Sequence, residues 1–268
     1  MKIKSCSQVT TIALGISSSV LFGVSFVSTA SAVNLITNGG FETEDFTGWN
    51  VSIQPGSNST NGFFIDDANG STPLSGQSTV GPASGSFYAV TDQRGSGAYA
   101  LTQTFTVPGV ASSVILSFDM FVNNWSVSGP LVNPSGLDYN SNPNQHARVD
   151  ILVAGANLFS TNPADIVGNF YLGSDPFASN PNPYTSYSFD INSLVGAGGS
   201  YILRFAEVDN QVFFNQGVDN VSIEFTPDGN ATVPEPTSSL SLLAIGTLGA
   251  VSTLKRKLKP QSPEKQTV

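Results

Sequence analysis

Short runs of alternating apolar and polar residues recur through the middle of the chain, and no stretch there repeats with the period of a helix. Turn-forming residues separate the runs, and two proline-containing tracts, 123–146 and 172–184, are expected to be long surface loops. Many short strands bounded by turns predict one all-β sandwich or barrel over residues 33–232. The candidate strands are residues 34–41, 48–53, 62–66, 86–92, 99–107, 113–123, 147–154, 185–191, 200–208 and 219–225.

The N-terminal segment, residues 1–32, has the three parts of a secretory signal peptide. Lysines lie at positions 2 and 4, residues 12–27 are mostly apolar, and Ala30-Ser31-Ala32 has the small residues that signal peptidase requires. We expect an N-terminal signal helix that signal peptidase removes before Val33. A retained membrane anchor is the alternative.

The C-terminal segment joins an uncharged run to a basic cluster. Residues 237–254 carry no charge, and as a helix they reach the lower limit of length for crossing an apolar bilayer core of about 30 Å. Basic residues within 255–259 follow at once, which predicts that this end lies in the cytoplasm and the body outside. We expect a transmembrane helix, with a buried core helix as the alternative.

Val233, Pro234, Glu235 and Pro236 precede this apolar run, and the order of motif, run and basic tail resembles the PEP-CTERM sorting signal of bacterial envelope proteins. The resemblance covers residues 233–260 and implies an exosortase-type membrane protease as a partner, in a Gram-negative-type bacterium. It also implies export alongside exopolysaccharide, with the protein anchored in the membrane before any sorting cleavage. Removal of the tail and its retention as a permanent anchor both remain open.

Charge is distributed unevenly along the chain. Residues 33–232 hold three basic residues, Arg94, Arg148 and Arg204, against seventeen acidic ones (all nineteen except Glu235 and Glu264), a net charge of about −14. Such a surface repels phosphate backbones, which argues against nucleic acid as a partner. The single cysteine, Cys6, lies in the signal segment, so the mature body has no disulfide or thiolate chemistry.

A second resemblance covers most of residues 33–225. Residues 34–42 (NLITNGGFE) and 47–49 (TGW) resemble the opening of galactose-binding-like jelly rolls, and 218–223 (VDNVSI) resemble their closing strand. Further matches, at residues 85–90, 101–105 and 116–118, lie between them in the expected order. The family includes carbohydrate-binding modules, so the resemblance implies a single jelly-roll β-sandwich. The two long loops depart from the family pattern and leave the place of a ligand site open.

The same resemblance implies a structural calcium ion, the one cofactor expected. In related modules such an ion ties the first strand to the last through carboxylates, which correspond here to Glu42 and Asp219. Calcium binds roughly six to eight oxygen atoms, and turns rich in glycine and asparagine supply carbonyl oxygens. The alternative is that Glu42 only accepts hydrogen bonds from a neighbouring turn.

Alternation within two predicted strands separates a core face from a face with the chemistry of a sugar site. The apolar side of residues 115–125, together with Trp49, is expected in the core, and it comprises Leu116, Phe118, Met120 and Val122. Acids and amides bond sugar hydroxyls, while an aromatic plane covers the apolar face of the ring. The candidate ligand residues on the outer faces are Asp119, Asn123, Trp125 and, between His146 and Asp150, Arg148. A solvated outer face without a ligand is the alternative.

The sequence contains few residue patterns that indicate catalysis. His146 is the only histidine, and no nucleophile elbow, P-loop or metalloprotease helix is present. A glycosidase needs two spaced carboxylates, but no acid is marked by its pattern as a general acid of raised pKa. We therefore expect a non-catalytic protein of the cell envelope or extracellular matrix that binds glycan or exopolysaccharide. A structural or adhesive surface protein without a sugar site is the alternative, and a glycosidase is the third.

Overall fold

The computed structural model of the chain describes residues 31–67, 69–126, 132, 136–140, 143–173 and 180–229. The signal segment, apart from its last two residues, and the whole sorting segment 233–260 lie outside the described residues. The helices expected at the two ends therefore stay predictions. Within the described part of the chain, no helix is long and apolar enough to cross a membrane.

Eleven β-strands and one helix of a single turn make up the regular structure of the described residues. They are β1 (Val33–Asn34), β2 (Asn50–Ile53), β3 (Gly62–Asp67), β4 (Phe87–Asp92), β5 (Gly97–Val107), β6 (Ala111–Asn124), β7 (His146–Val153), β8 (Ile166–Gly173), β9 (Thr185–Asp190), α1 (Asn192–Val195), β10 (Gly199–Asp209) and β11 (Phe214–Pro227). The prediction of an all-β body is confirmed for the described residues.

The strands form two antiparallel sheets. Sheet A has the order β3-β4-β11-β6-β9, with β1 beside β11, and sheet B has the order β2-β5-β10-β7-β8. Side chains from both sheets meet in one apolar core, so the sheets lie face to face as a sandwich. The predicted β-sandwich is confirmed at this level.

The core contains the residues that alternation predicted. The alternate residues of β6 from position 116 to position 122 are buried there, namely Leu116, Phe118, Met120 and Val122. Phe205 of sheet B packs edge-on against Phe118, with 5.3 Å between ring centroids. Trp49 is also in the core, where its Nε1 donates a hydrogen bond to the carbonyl oxygen of Asn38. Each large apolar side chain buried in this way stabilises the fold by about 1.5–3 kcal/mol.

Two predictions about strands are wrong. Of residues 34–41 only Asn34 is extended in a strand, because Asn38 and Phe41 adopt positive φ angles of 51° and 57° and turn the chain. Strand β8 has no counterpart among the predicted strands. Its sequence, IVGNFYLG, does not alternate simply, and its register on β7 shifts twice.

Loops cover much of the outer face of each sheet. On sheet B a second apolar cluster forms beneath Leu137, and it includes Ala98, Ala100, Ala206 and Val208. On sheet A a third cluster packs beside Tyr184, and it comprises Tyr88, Val90 and Phe121. The expectation of open outer faces is therefore wrong for the strand positions that carry Asn123 and Arg148, both of which are buried.

Candidate functional site

The four predicted ligand residues do not come together. Asp119, Asn123 and Trp125 lie on or just after β6 in sheet A, whereas Arg148 lies on β7 in sheet B. All four side chains point away from the core between the sheets. Since packed sheets are about 10 Å apart, Arg148 is separated from the others by the thickness of the sandwich.

Arg148 is held by a buried carboxylate and has only 6% of its surface exposed. Its Nε and Nη2 donate to the two oxygens of Asp150, at 2.7 and 2.8 Å. Asp150 also accepts from Arg204, which donates through Nη1 to the carbonyl oxygens of Leu158 and Ser160. These bonds fix residues 158–160 over sheet B, so the predicted open face around Arg148 does not exist.

Asn123 is fully buried and fixes a neighbouring segment. Its Oδ1 accepts from the backbone N–H of Asn182 at 2.8 Å, and its Nδ2 donates to the carbonyl oxygen of Ser78 at 3.3 Å. Asn182 in turn donates from Nδ2 to the carbonyl oxygen of Val122 at 2.8 Å. Asn123 therefore positions residues 180–184 against β6 and is not exposed to a ligand.

Asp119 and Trp125 remain partly exposed. The carboxylate of Asp119 accepts from Ser186 Oγ at 2.5 Å and from Asn220 Nδ2 at 2.7 Å. Trp125 donates from Nε1 to Asn215 Oδ1 at 3.2 Å. Their polar groups already bond within the protein, and contact of these two residues with a ligand stays a prediction.

A cleft opens where the edge strand of sheet B, β8, approaches the edge strand of sheet A, β9. Its volume is about 240 Å³, and we call it the edge cleft. It is lined by residues 120–122 of β6 and by Tyr171, Asn182, Pro183, Thr185 and Tyr187. No charged side chain is among the described residues that line it.

Two tyrosine rings give the edge cleft its aromatic surface. The ring centroids of Tyr171 and Tyr187 are 5.9 Å apart and their planes meet at 77°. Tyr187 stacks on the core residue Phe118, with 5.0 Å between centroids and 22° between planes. Burial raises the pKa of Tyr187, so its phenol is neutral at ordinary pH. Fixed aromatic faces beside an amide and a hydroxyl suit an uncharged ligand rich in hydroxyl groups.

The edge cleft is not apparent from the sequence, because one of its two strands does not show a simple alternation. Tyr171 belongs to β8, the strand that was not predicted, so no face could be assigned to it. Tyr187 and Phe189 alternate within the predicted strand 185–191, and this pattern could have indicated one half of the site.

Glu42 and Asp219, the predicted calcium ligands, both hold residues 83–87. Glu42 Oε1 accepts from the backbone N–H groups of Ser86 and Phe87, at 2.9 and 3.1 Å. Asp219 Oδ2 accepts from the backbone N–H groups of residues 83 and 84, at 2.8 and 3.0 Å. Burial raises the pKa of Asp219 to about 6, against the opposing effect of these hydrogen bonds.

These contacts agree with the alternative in which Glu42 bonds a turn. The groups that bond Glu42 Oε1 and the oxygens of Asp219 are N–H donors, whereas calcium requires oxygen ligands. Among the described residues, no three or more His, Cys, Asp or Glu side chains are grouped so as to hold a metal ion. The contacts do not complete a coordination sphere, and the calcium ion stays a prediction.

Two acids that the sequence analysis did not single out lie inside the sandwich, Glu207 with no exposed surface and Asp209 with 3%. Burial raises the pKa of Glu207 well above its usual value and that of Asp209 to about 7. A raised pKa suits a general acid, but Glu207 has no surface with which to touch a substrate. The alternation Leu203-Phe205-Glu207-Asp209 could have shown that both acids share the core face of β10.

The fold of the described residues is an all-β sandwich of two antiparallel sheets. No protein-family model matches its sequence, and no curated protein matches it.

Solved structures with a similar fold include carbohydrate-binding modules. TmCBM61, solved in complex with β-1,4-galactotriose, is 12% identical with a TM-score of 0.43, and the match covers 71% of this chain and 97% of that one. The xylan-binding domain CBM22-1 of Paenibacillus barcinonensis Xyn10C is 11% identical with a TM-score of 0.40, over 75% and 99%. The K1 cleaved adhesin domain of Lys-gingipain from Porphyromonas gingivalis W83 is 10% identical with a TM-score of 0.40, over 74% and 99%. Similarity of this degree says nothing about what the present chain binds.

Proposed function

We propose that the β-sandwich is a non-catalytic glycan-binding module of the jelly-roll type and that the edge cleft is its ligand site. The observation that supports this proposal is the pair Tyr171 and Tyr187 beside Asn182 and Thr185 in one cleft. A pyranose ring packs its C–H face on an aromatic ring, and its hydroxyls exchange hydrogen bonds with amide and hydroxyl groups. The cleft offers both kinds of contact within about 240 Å³.

The charge of the cleft and of the body favours a neutral glycan. The described lining of the cleft holds no basic side chain that could pair with a uronate or sulfate group. Residues 33–232 carry three arginines and seventeen acids, and their net negative charge repels polyanions. Neutral exopolysaccharide is therefore the ligand class that we propose.

We further propose that the module acts outside the cytoplasm, in the cell envelope or extracellular matrix. The signal segment 1–32 and the PEP-CTERM-like segment 233–260 support export by signal peptidase and sorting by an exosortase-type protease. The intact mass of the native protein from membrane and medium fractions tests this proposal. We expect a mature chain that starts at Val33, and a cytosolic product that retains residues 1–32 would contradict it.

Affinity electrophoresis of the full-length protein through gels that contain polysaccharide tests the binding function. We expect neutral polysaccharide to retard the wild type and not Tyr171→Ala. The control Tyr139→Ala removes a half-buried tyrosine outside the cleft and should migrate like the wild type. If no polysaccharide retards the wild type, the glycan-binding proposal is wrong and the structural or adhesive alternative stands. Turnover of chromogenic glycosides would contradict the non-catalytic assignment.

A further inference from the structure

Two side-chain hydrogen bonds cross between the sheets at one end of the sandwich. Thr91 Oγ1 donates to Glu207 Oε2 at 2.8 Å, and Gln93 Nε2 donates to Asp209 Oδ2 at 2.7 Å. Thr91 lies on β4 of sheet A, which Gln93 follows directly, and both acids lie on β10 of sheet B. We call this pair of bonds the acid clasp.

The acid clasp also joins two turns, each of which passes from one sheet to the other. Gln93 begins the turn from β4 to β5, and Asp209 precedes the turn from β10 to β11. Residues of both turns, within 93–96 and 209–213, line a cavity of about 180 Å³. The cavity is partly open to solvent, and separation of the two turns would let water reach the carboxyl groups of Asp209 and Glu207.

The groups around the two acids provide no positive charge. The register partners of Glu207 are Tyr99 on β5 and Ala147 on β7. Tyr99 is neutral, because burial raises its pKa to about 12. After burial, the negative charges of Asp209 and then of Asp92 disfavour ionisation of Glu207. Arg94, the nearest arginine in sequence, is exposed and donates to the carbonyl oxygen of Leu74.

Hydrogen bonding compensates the two acids only in part. Neither acid takes part in the ion pairs that Arg148 and Arg204 form with Asp150, and Glu207 Oε1 is buried without a hydrogen-bond partner among the described residues. The amide oxygen of Gln93 is likewise buried without a partner there. Glu207 has one donor, Thr91, and Asp209 has two, Gln93 Nε2 and the backbone N–H of Gln211 at 3.1 Å. An ionised carboxylate that is shielded from water and has so few donors is much less stable than the neutral acid.

We infer that the acid clasp is proton-dependent: it is closed while Glu207 and Asp209 are protonated, and it loosens as they ionise at higher pH. The raised pKa of Asp209, about 7, follows mainly from its burial. Between about pH 4 and pH 7 the folded protein therefore keeps a proton that the unfolded chain has lost. The stability that this proton provides is complete below about pH 4 and decreases as the pH rises to about 7.

Thermal unfolding of the full-length protein at pH 5 and pH 8 tests the inference with isosteric variants. Asp209→Asn and Glu207→Gln keep the shape of the protonated side chains but cannot ionise. We expect the midpoints of both variants to fall less from pH 5 to pH 8 than that of the wild type. The control Glu44→Gln removes an exposed carboxylate and should follow the wild type.

His146, on the opposite face of sheet B, adds stability as the pH rises above 5, which opposes the effect of the two acids. The change in the unfolding midpoint of each variant is therefore compared with the change in the wild type. Parallel curves for the wild type and both amide variants would overturn the inference. A rise of the wild-type midpoint at pH 8 on addition of calcium chloride, absent in Asp209→Asn, would also overturn it in favour of a metal-cation site.

Infrared spectroscopy gives a second readout if the variants do not fold. The wild type at pH 6 should show the C=O stretch of a protonated, buried carboxylic acid. The absence of this band would contradict the proton-dependent clasp, whatever the variants do.

Discussion

Arg204 and Asp150 form an ion pair in which neither side chain has exposed surface, with 2.5 Å between Nη2 and Oδ2. Arg148 binds the same carboxylate from the neighbouring side. Burial alone would raise the pKa of Asp150, but the hydrogen bond from Arg148 and the charges of both arginines leave it below its usual value. The pair joins strands β7 and β10 to the loop that covers them.

Removal of the Arg204 guanidinium should strongly destabilise the fold. Arg204→Met leaves Asp150 with one arginine and leaves two loop carbonyl groups without their donor. Breaking a buried ion pair costs about 3–5 kcal/mol, and we expect a loss of this size in urea unfolding. The control Arg94→Met removes an exposed arginine and should cost less than about 1 kcal/mol. A similarly small loss for Arg204→Met would refute the assigned role.

His146 should make the protein sensitive to mild acid. Burial first, and then the charge of Arg148, lower its pKa from 6.5 to about 4. Below about pH 6.5 the unfolded chain binds a proton at His146 that the folded chain does not bind. The contribution of neutral His146 to stability is therefore complete above about pH 6.5 and is lost as the pH falls toward 4. Relative to the wild type, His146→Gln should gain about 1–2 kcal/mol of unfolding free energy between pH 7 and pH 5. A difference that does not change with pH would contradict this prediction.

Asn123 should affect ligand binding without touching the ligand. Asn123→Ala removes the acceptor for Asn182 N–H and the donor to Ser78, and it should cost about 1–3 kcal/mol of stability. Because residues 182 and 183 line the edge cleft, glycan affinity should fall as well. Hydrogen exchange at Asn182 measures the release of the segment directly. The exposed control Asn140→Ala should change neither property, and unchanged exchange in Asn123→Ala would exclude the positioning role.

The calcium prediction is tested by chelation of the full-length protein. A structural ion at Glu42 and Asp219 requires that a chelator lower the melting temperature, and that Glu42→Ala or Asp219→Ala abolish this sensitivity. Identical melting with and without chelator would remove the ion. Glu42 and Asp219 would then act only as acceptors for the N–H groups of residues 83–87.

The hydrophobic pattern predicted which side of a strand faces the core but not what covers the other side. The alternation in β6 correctly placed Phe118 and Met120 inside. The same alternation assigned Asn123 and Arg148 to an open face, because loop positions distant in sequence decide whether that face is covered. Arg204 reaches such a loop through the carbonyl oxygens of residues 158 and 160, and no local pattern indicates this contact.

The interior acids show a second limit of reasoning from sequence. Glu207 and Asp209 follow Leu203 and Phe205 at alternate positions, so their inward direction was predictable from the pattern. Their partners, Thr91 and Gln93, are 116 positions away in each case, and only the packing of β4 in sheet A against β10 in sheet B brings them together. The edge cleft likewise depends on two strands from different sheets, of which one was not predictable.

Calorimetric titration of the full-length protein with an oligosaccharide of the neutral polysaccharide that retards it tests the glycan-binding site most directly. We expect the wild type to bind and Tyr171→Phe to retain most of the affinity, because the ring remains. We expect Tyr171→Ala to bind at least about tenfold more weakly, a difference of about 1.4 kcal/mol. Equal affinity of Tyr171→Ala and the wild type, or no binding of any neutral oligosaccharide by the wild type, would contradict the proposed site.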